Sequence, residues 1–327
     1  MIESGPSIAE IRTLRDQLSE LTLRTPVMRC HAIEEALGGN TEVYAKLEFL
    51  QRTGTFKARG ALATLLGLSD SQREYGVTAV SAGNHAIATA FAAQATGTTA
   101  KVVMTRSANP SRIASCKAYG AEVVLAADVH EAFELANAIR DEERRFFVHP
   151  FEGPSIALGT GTVGLEICEQ VDSFDAILIP IGGGGLIGGI SNAVKQLRPQ
   201  AEVIGVEPEG ADTMHRSFAS GEPESIEKVT TIADSLGAPF ALPYSFSLTR
   251  KNVDRLVMVS DDQLRKAMGF LFQQMNIAVE PACSAATAAL LGPLRESLAG
   301  RRVVVVMCGS NIDWETYSRQ VIFNDAA

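Results

Sequence analysis

The sequence predicts an α/β protein with mostly parallel, twisted sheets covered by helices on both faces. Two observations carry this. Short runs rich in β-branched residues alternate with longer amphipathic stretches along the chain. Several of these runs are apolar throughout, the pattern of strands buried on both faces. The strand candidates are "EVYAKLE" (42–48), "GVTAV" (76–80), "AKVVMT" (100–105), "AEVVLA" (121–126), "FFVHP" (146–150), "AILIPI" (176–181), "EVIGVEP" (202–208), "RLVMVS" (255–260) and "RRVVVVM" (301–307). Helical stretches lie between nearly all of them, for example 111–119 and 261–274. Ligands of such sheets sit beyond the carboxyl ends of the strands, so the loops there are the candidate site.

Composition sets the outer bounds. The 327 residues are 46% hydrophobic and 20% charged, enough for one large or two ordinary domains and too apolar for disorder. A net charge of −9 argues against nucleic acid or an anionic membrane as the main partner. The five cysteines are scattered without CxxC spacing, which fits neither a disulfide framework nor a zinc site. The start, "MIESGPSIAEIRTLRDQLSE", lacks the basic and apolar regions of a signal peptide. The longest apolar stretch, "AILIPIGGGGLIGGI", is short and broken by glycines. A soluble cytoplasmic protein is the expectation.

Three strand-end loops stand out. "SAGNHA" (81–86) follows "GVTAV" and opens a helix; on its own it reads as an ordinary cap through Ser81 or Asn84, and its N–H groups would equally suit an anion such as a carboxylate. "GGGGLIGG" (182–189) follows "AILIPI". Four consecutive glycines cost backbone entropy and imply a need for φ > 0 or unobstructed N–H groups, as a phosphate cradle has. The same loop satisfies G-x-G-x-x-G through Gly183, Gly185 and Gly188, with the acid Glu207 closing the next strand, so a dinucleotide site competes here. "MCGSN" (307–311) ends a buried strand with Cys308, Ser310 and Asn311. Upstream, "GTFKARGA" (54–61) sets Lys57 between a phenylalanine and small residues with no acid close by in sequence. Such a setting suits a lysine that must lose its proton and attack a carbonyl.

In this order the blocks "KLEFLQRTGTFKARGA", "SAGNHA", "YGAEVVL", "HPFEGPSIALGTGTVGLEI", "PIGGGGLIGG", "VIGVEPEGAD", "TIADSL" and "VEPACSAA" resemble the fold-type II pyridoxal 5′-phosphate (PLP) enzymes, above all the serine/threonine dehydratase and serine racemase group. The resemblance covers nearly the whole chain and demotes the dinucleotide alternative. It implies a two-domain, tryptophan synthase β-like architecture, with a large PLP-binding domain from 1–50 and 149–327 and a small domain from 51–148. It also implies a homodimer acting on a small amino acid.

On this resemblance Lys57 forms the Schiff base with PLP and Phe56 packs beside the cofactor. Gly182, Gly183, Gly184, Gly185 and Leu186 bind its phosphate. Ser81, Asn84 and His85 hold the substrate carboxylate, with Asn84 also near the ring oxygen. Cys308 stands where the family usually has serine, facing the pyridine nitrogen; a thiol is likewise a neutral partner. The implied reaction is α,β-elimination from a 3-hydroxy amino acid of the L-threonine or L-serine type, giving a 2-oxo acid and ammonia. The alternative on the same scaffold is a racemase or β-replacement enzyme. Racemases of the family carry a serine where this chain has Ala82, and β-replacement enzymes a threonine where it has His85, so both departures favour the dehydratase. Glu152, Thr160 and Ser235 also depart from the common pattern and leave the side-chain preference open. The family's divalent-metal set maps onto Glu207 and Ala211, but its aspartate falls on Thr213. Losing a carboxylate weakens a hard-cation site, which leaves Mg2+ or Ca2+ an open expectation.

Overall fold

The computed structural model describes residues 4–38 and 40–321. Among the described residues ten strands form two sheets: β1 (Val27–Arg29), β2 (Glu42–Leu47), β3 (Val77–Val80), β4 (Ala100–Thr105), β5 (Glu122–Ala126), β6 (Phe146–Phe147), β7 (Ala176–Pro180), β8 (Glu202–Pro208), β9 (Arg255–Val259) and β10 (Arg302–Met307). The larger sheet has the order β1-β2-β10-β7-β8-β9 and the smaller β5-β4-β3-β6. Every pairing is parallel except β1 with β2.

The apolar runs lie where double-sided burial requires. All of β7, and all but the first residue of β8 and β10, are buried in the centre of the larger sheet. The equally apolar β9 is an edge strand, and its Met258 is exposed. The run "FFVHP" pairs only through Phe146 and Phe147 before the chain turns away at His149 and Pro150. β1 is too short to show a period in sequence; it pairs antiparallel with β2 just after Pro26.

Each sheet carries its own core of buried aliphatic side chains. The helix Pro154–Gln170 packs against both Lys57–Leu66 and Gly185–Leu197. Contact with the first is close: a Cβ at Gly159 would lie 2.5 Å from the Arg59 carbonyl oxygen. Beside this contact lies a buried ionic cluster. Arg59 reaches Glu48 at 2.8 Å and Glu166 at 2.7 Å, and Lys46 reaches Glu166 at 2.5 Å. Opposite charges and hydrogen bonds to Thr25 and Thr162 offset the cost of burying these groups. Arg59 thereby anchors the first turn of the helix that begins at Lys57.

The loops following β3, β7 and β10 leave the sheets at carboxyl ends, and β2 runs into the turn that precedes Lys57. They converge on one cavity between the two sheets, of about 320 Å³.

Candidate active site

Lys57 opens its helix and lines the cavity, half-buried. Its Nζ donates to the Pro150 carbonyl oxygen at 2.6 Å and sits 5.1 Å from the centre of the Phe56 ring. Burial pushes its pKa down to about 8, with Glu280 opposing. A lysine in this state reaches its nucleophilic neutral form near physiological pH.

The glycine loop faces the same cavity. A Cβ at Gly183 would lie 2.3 Å from the Phe151 ring, and one at Gly185 would lie 2.6 Å from the Phe151 carbonyl oxygen. Gly184 has φ of +90°, a conformation that favours glycine. The loop therefore needs its glycines for close approach and for a bare row of N–H groups at the start of the helix Gly185–Leu197. Thr160, from the neighbouring helix, donates its hydroxyl to Gly185 O at 2.8 Å and pins the loop from behind.

After β3, the helix Asn84–Ala95 starts at the cavity wall. Its first N–H groups have no acceptor within the helix. Ser81 accepts from Gly83 N at 3.1 Å, which tightens the turn. Asn84 is fixed on both sides: Nδ2 donates to Glu280 at 2.7 Å and to Ser235 at 3.1 Å, and Oδ1 accepts from Asn311 at 2.7 Å. The His85 ring is committed elsewhere. Its Nε2 bonds the Val148 carbonyl at 2.8 Å, so that nitrogen carries the proton. Burial, reinforced by the Lys57 charge, pushes its pKa down to about 3, so the ring stays neutral. His85 therefore offers the cavity a backbone N–H rather than an imidazolium.

Cys308 also lines the cavity, and its carbonyl accepts from Phe56 N at 3.2 Å. Cys283 beside it, together with burial, holds its thiol well above the ordinary range, so it stays neutral.

Three charged groups at the site, Glu280, Arg112 and Asp234, were not singled out from sequence. Glu280, 1% exposed, lines the cavity beneath Asn84. Burial and the Asp234 charge push its pKa up to about 7, against the pull of Arg112. Arg112 donates to Asp234 at 2.6 Å and, at 3.5 Å, to Glu280. Gly83 leaves room for this guanidinium, because a Cβ there would stand 2.9 Å from Nη1.

Glu207, Ala211 and Thr213 lie outside the cavity. Both Glu207 oxygens cap the helix Thr213–Ser220, accepting from Met214 N at 2.8 Å and His215 N at 2.9 Å. One also bonds the His215 ring, and Thr213 donates to Ala238 O. These donors are spent on the fold and do not fit a hard cation; no group of three or more His, Cys, Asp or Glu gathers among the described residues. Nor does Glu207 reach the glycine loop, as a ribose-binding acid would. Glu152 likewise caps a helix, accepting from Tyr244 N and Ser245 N.

A desolvated lysine facing a glycine anion cradle defines an enzyme built to hold a phosphorylated carbonyl cofactor. The family model described as pyridoxal-phosphate dependent enzyme matches residues 18–309, and the chain belongs to that family. Phenylserine dehydratase from Ralstonia pickettii is 54% identical over 97% of this chain and 96% of its own length. L-threonine ammonia-lyase from Thermotoga maritima is 38% identical, over 94% of this chain and 76% of its own. The solved structure of maize serine racemase matches with a TM-score of 0.91 at 32% identity, covering 96% of each chain.

Proposed function

We propose that the protein is a PLP-dependent ammonia-lyase that dehydrates and deaminates a 3-hydroxy amino acid, releasing a 2-oxo acid and ammonia. The observation that carries this is Lys57, its pKa near 8, in one cavity with the glycine cradle. The relatives named above include two enzymes of this reaction type, which supports a 3-hydroxy amino acid as substrate.

The cradle fits the cofactor's phosphate, since a side chain at Gly183 or Gly185 would collide with Phe151 and only glycines leave the loop's N–H groups bare there. Gly182 to Gly185 and Leu186 would hold that phosphate through their N–H groups, with Phe56 beside the ring, Asn84 near its oxygen and Cys308 facing its nitrogen. When bound, PLP withdraws electrons from the substrate's α-carbon and makes its hydrogen acidic. Ser81 and the first N–H groups of Asn84–Ala95 hold the substrate carboxylate. Lys57, as neutral amine, takes the α-hydrogen. The Cβ–O bond breaks and the hydroxyl leaves as water, taking up one proton, which balances the proton that Lys57 removed. The enamine released takes up one water and yields the 2-oxo acid and ammonia, so no net water is consumed.

Racemisation needs a second proton donor, and Ala82 at the cavity wall has none to give. Among the described residues no helix is long and apolar enough to cross a membrane. The test is a panel of 3-hydroxy amino acids, L-threonine and L-serine included, with the PLP-loaded enzyme. Release of 2-oxo acid and ammonia in equal amounts supports the proposal; formation of the D-isomer alone overturns it.

A further inference from the structure

We propose that the preferred substrate carries an aryl group on its β-carbon, and that Val129 and Phe133 form the wall that selects it. This rests on the ammonia-lyase function proposed above. The helix Val129–Glu142 sends three residues to the cavity, Val129, Ala132 and Phe133, all of them apolar. Val80 and Val103, from β3 and β4, continue the same wall. Val129 is 60% exposed and Phe133 39%, among the most exposed large apolar side chains described. They stand four residues apart on one face of the helix.

The polar residues of that helix start are engaged elsewhere. Asp128 accepts from Glu131 N at 2.9 Å, the Glu131 carboxylate accepts from Ala127 N, and His130 pairs with Glu134 at 3.4 Å. The helix thus brings no charge to the cavity.

Apolar side chains left open to water beside a catalytic lysine gain stability when a ligand covers them. A threonine methyl or a serine hydrogen is too small to do so, whereas a phenyl ring presents a flat apolar surface that packs against Phe133 at low entropic cost. A polar β-substituent such as a carboxylate would lose its hydration against this wall without gaining a partner. The wall therefore selects for an aromatic ring and against small or charged groups.

The test compares kcat/KM of the PLP-loaded enzyme for L-threo-3-phenylserine, L-threonine and L-serine, in the wild type and in Phe133→Glu. Phenylserine is expected to exceed L-threonine by about tenfold or more. The substitution, at a partly exposed site, should erode that advantage by raising KM for phenylserine. L-Phenylalanine, which lacks the leaving hydroxyl, should bind the wild type more tightly than L-alanine in calorimetry and lose that margin in the variant. If L-threonine or L-serine is preferred while 2-oxo acid still forms, the aryl wall is wrong and the lyase function stands. If no 3-hydroxy amino acid yields 2-oxo acid, the lyase function fails and the wall falls with it. Equal losses for phenylserine and L-threonine in the variant would overturn the role of Phe133.

Discussion

Asn84 Nδ2 donates to Glu280 Oε1 at 2.7 Å, joining the start of one helix to the residue that precedes another. The Glu280 carboxyl is 1% exposed, and burial, with the Asp234 charge, lifts its pKa from 4.5 to about 7. Arg112, Asn84 and Ser235 pull the other way without cancelling the lift. The folded protein thus keeps a proton that the unfolded chain releases near pH 4.5. By linkage, stability falls as pH rises between those two values and levels off above about 7, for a loss of about 3 kcal/mol.

Glu280→Gln removes the titrating proton and keeps an oxygen for Asn84. The cofactor-free variant should show a flatter stability profile than the wild type between about pH 5 and about pH 7.5. Urea unfolding across that range measures it. A wild-type profile that is already flat would show that Glu280 titrates at its ordinary value.

Lys57 titrates in the opposite sense. Its pKa is depressed to about 8, so the neutral amine gains on the ammonium with each step in pH up to that value. Cofactor attachment to cofactor-free protein should quicken by about tenfold per pH unit below the pKa and level off above it. Lys57→Ala should abolish attachment and lower turnover by about a thousandfold or more. Visible absorbance and borohydride fixation follow the first, and 2-oxo acid release the second. Turnover that survives the substitution would remove Lys57 from the chemistry.

The parts of this site legible in the sequence are those where an unusual residue type sits at a strand end. Four glycines in a row after an apolar strand, and a lysine beside a phenylalanine, announce themselves. Glu280 and Arg112 do not. Each belongs to a segment that opens or forms a helix, where an acid before Pro281 or an arginine in "PSRIASCKA" passes for an ordinary solvated residue. A signal was present for Glu280. The helix it precedes, "PACSAATAALL", has no charged residue and is buried along nearly its whole length, so its first turn had to lie inside the protein. Glu207 misled in the other direction. Its place at the end of a strand suits a ligand or a metal, and only the tertiary fold reveals that the helix Thr213–Ser220 uses both its oxygens. β1 left no trace because three residues carry no period.

Thr160 stands behind the cofactor loop, with its hydroxyl 2.8 Å from Gly185 O and 2.9 Å from Ile156 O. Thr160→Val keeps the shape and removes the donor, leaving a buried carbonyl at the loop without its bond. The cost is about 1–3 kcal/mol, and part of it should appear as weaker PLP binding, by about tenfold. Titration of the cofactor-free variant with PLP measures the change. An unchanged dissociation constant would mean that Phe151 packing alone shapes the loop.

The ionic cluster beneath Lys57 makes the last prediction. Glu166 accepts from Arg59 at 2.7 Å and from Lys46 at 2.5 Å, and all three side chains are buried. Glu166→Ala leaves two cations facing Glu48 alone, in a space that water does not reach. Removing one partner of such a buried cluster costs about 3–5 kcal/mol, far above the worth of a surface pair. Since Arg59 follows Lys57 by two positions, the first turn of the catalytic helix should loosen first. PLP binds only the folded form, so saturating cofactor should restore part of the lost stability by mass action. Denaturant midpoints with and without PLP separate the two effects. A midpoint equal to that of the wild type would show that the cluster is neutral to stability, as apolar replacement of some buried ion pairs is.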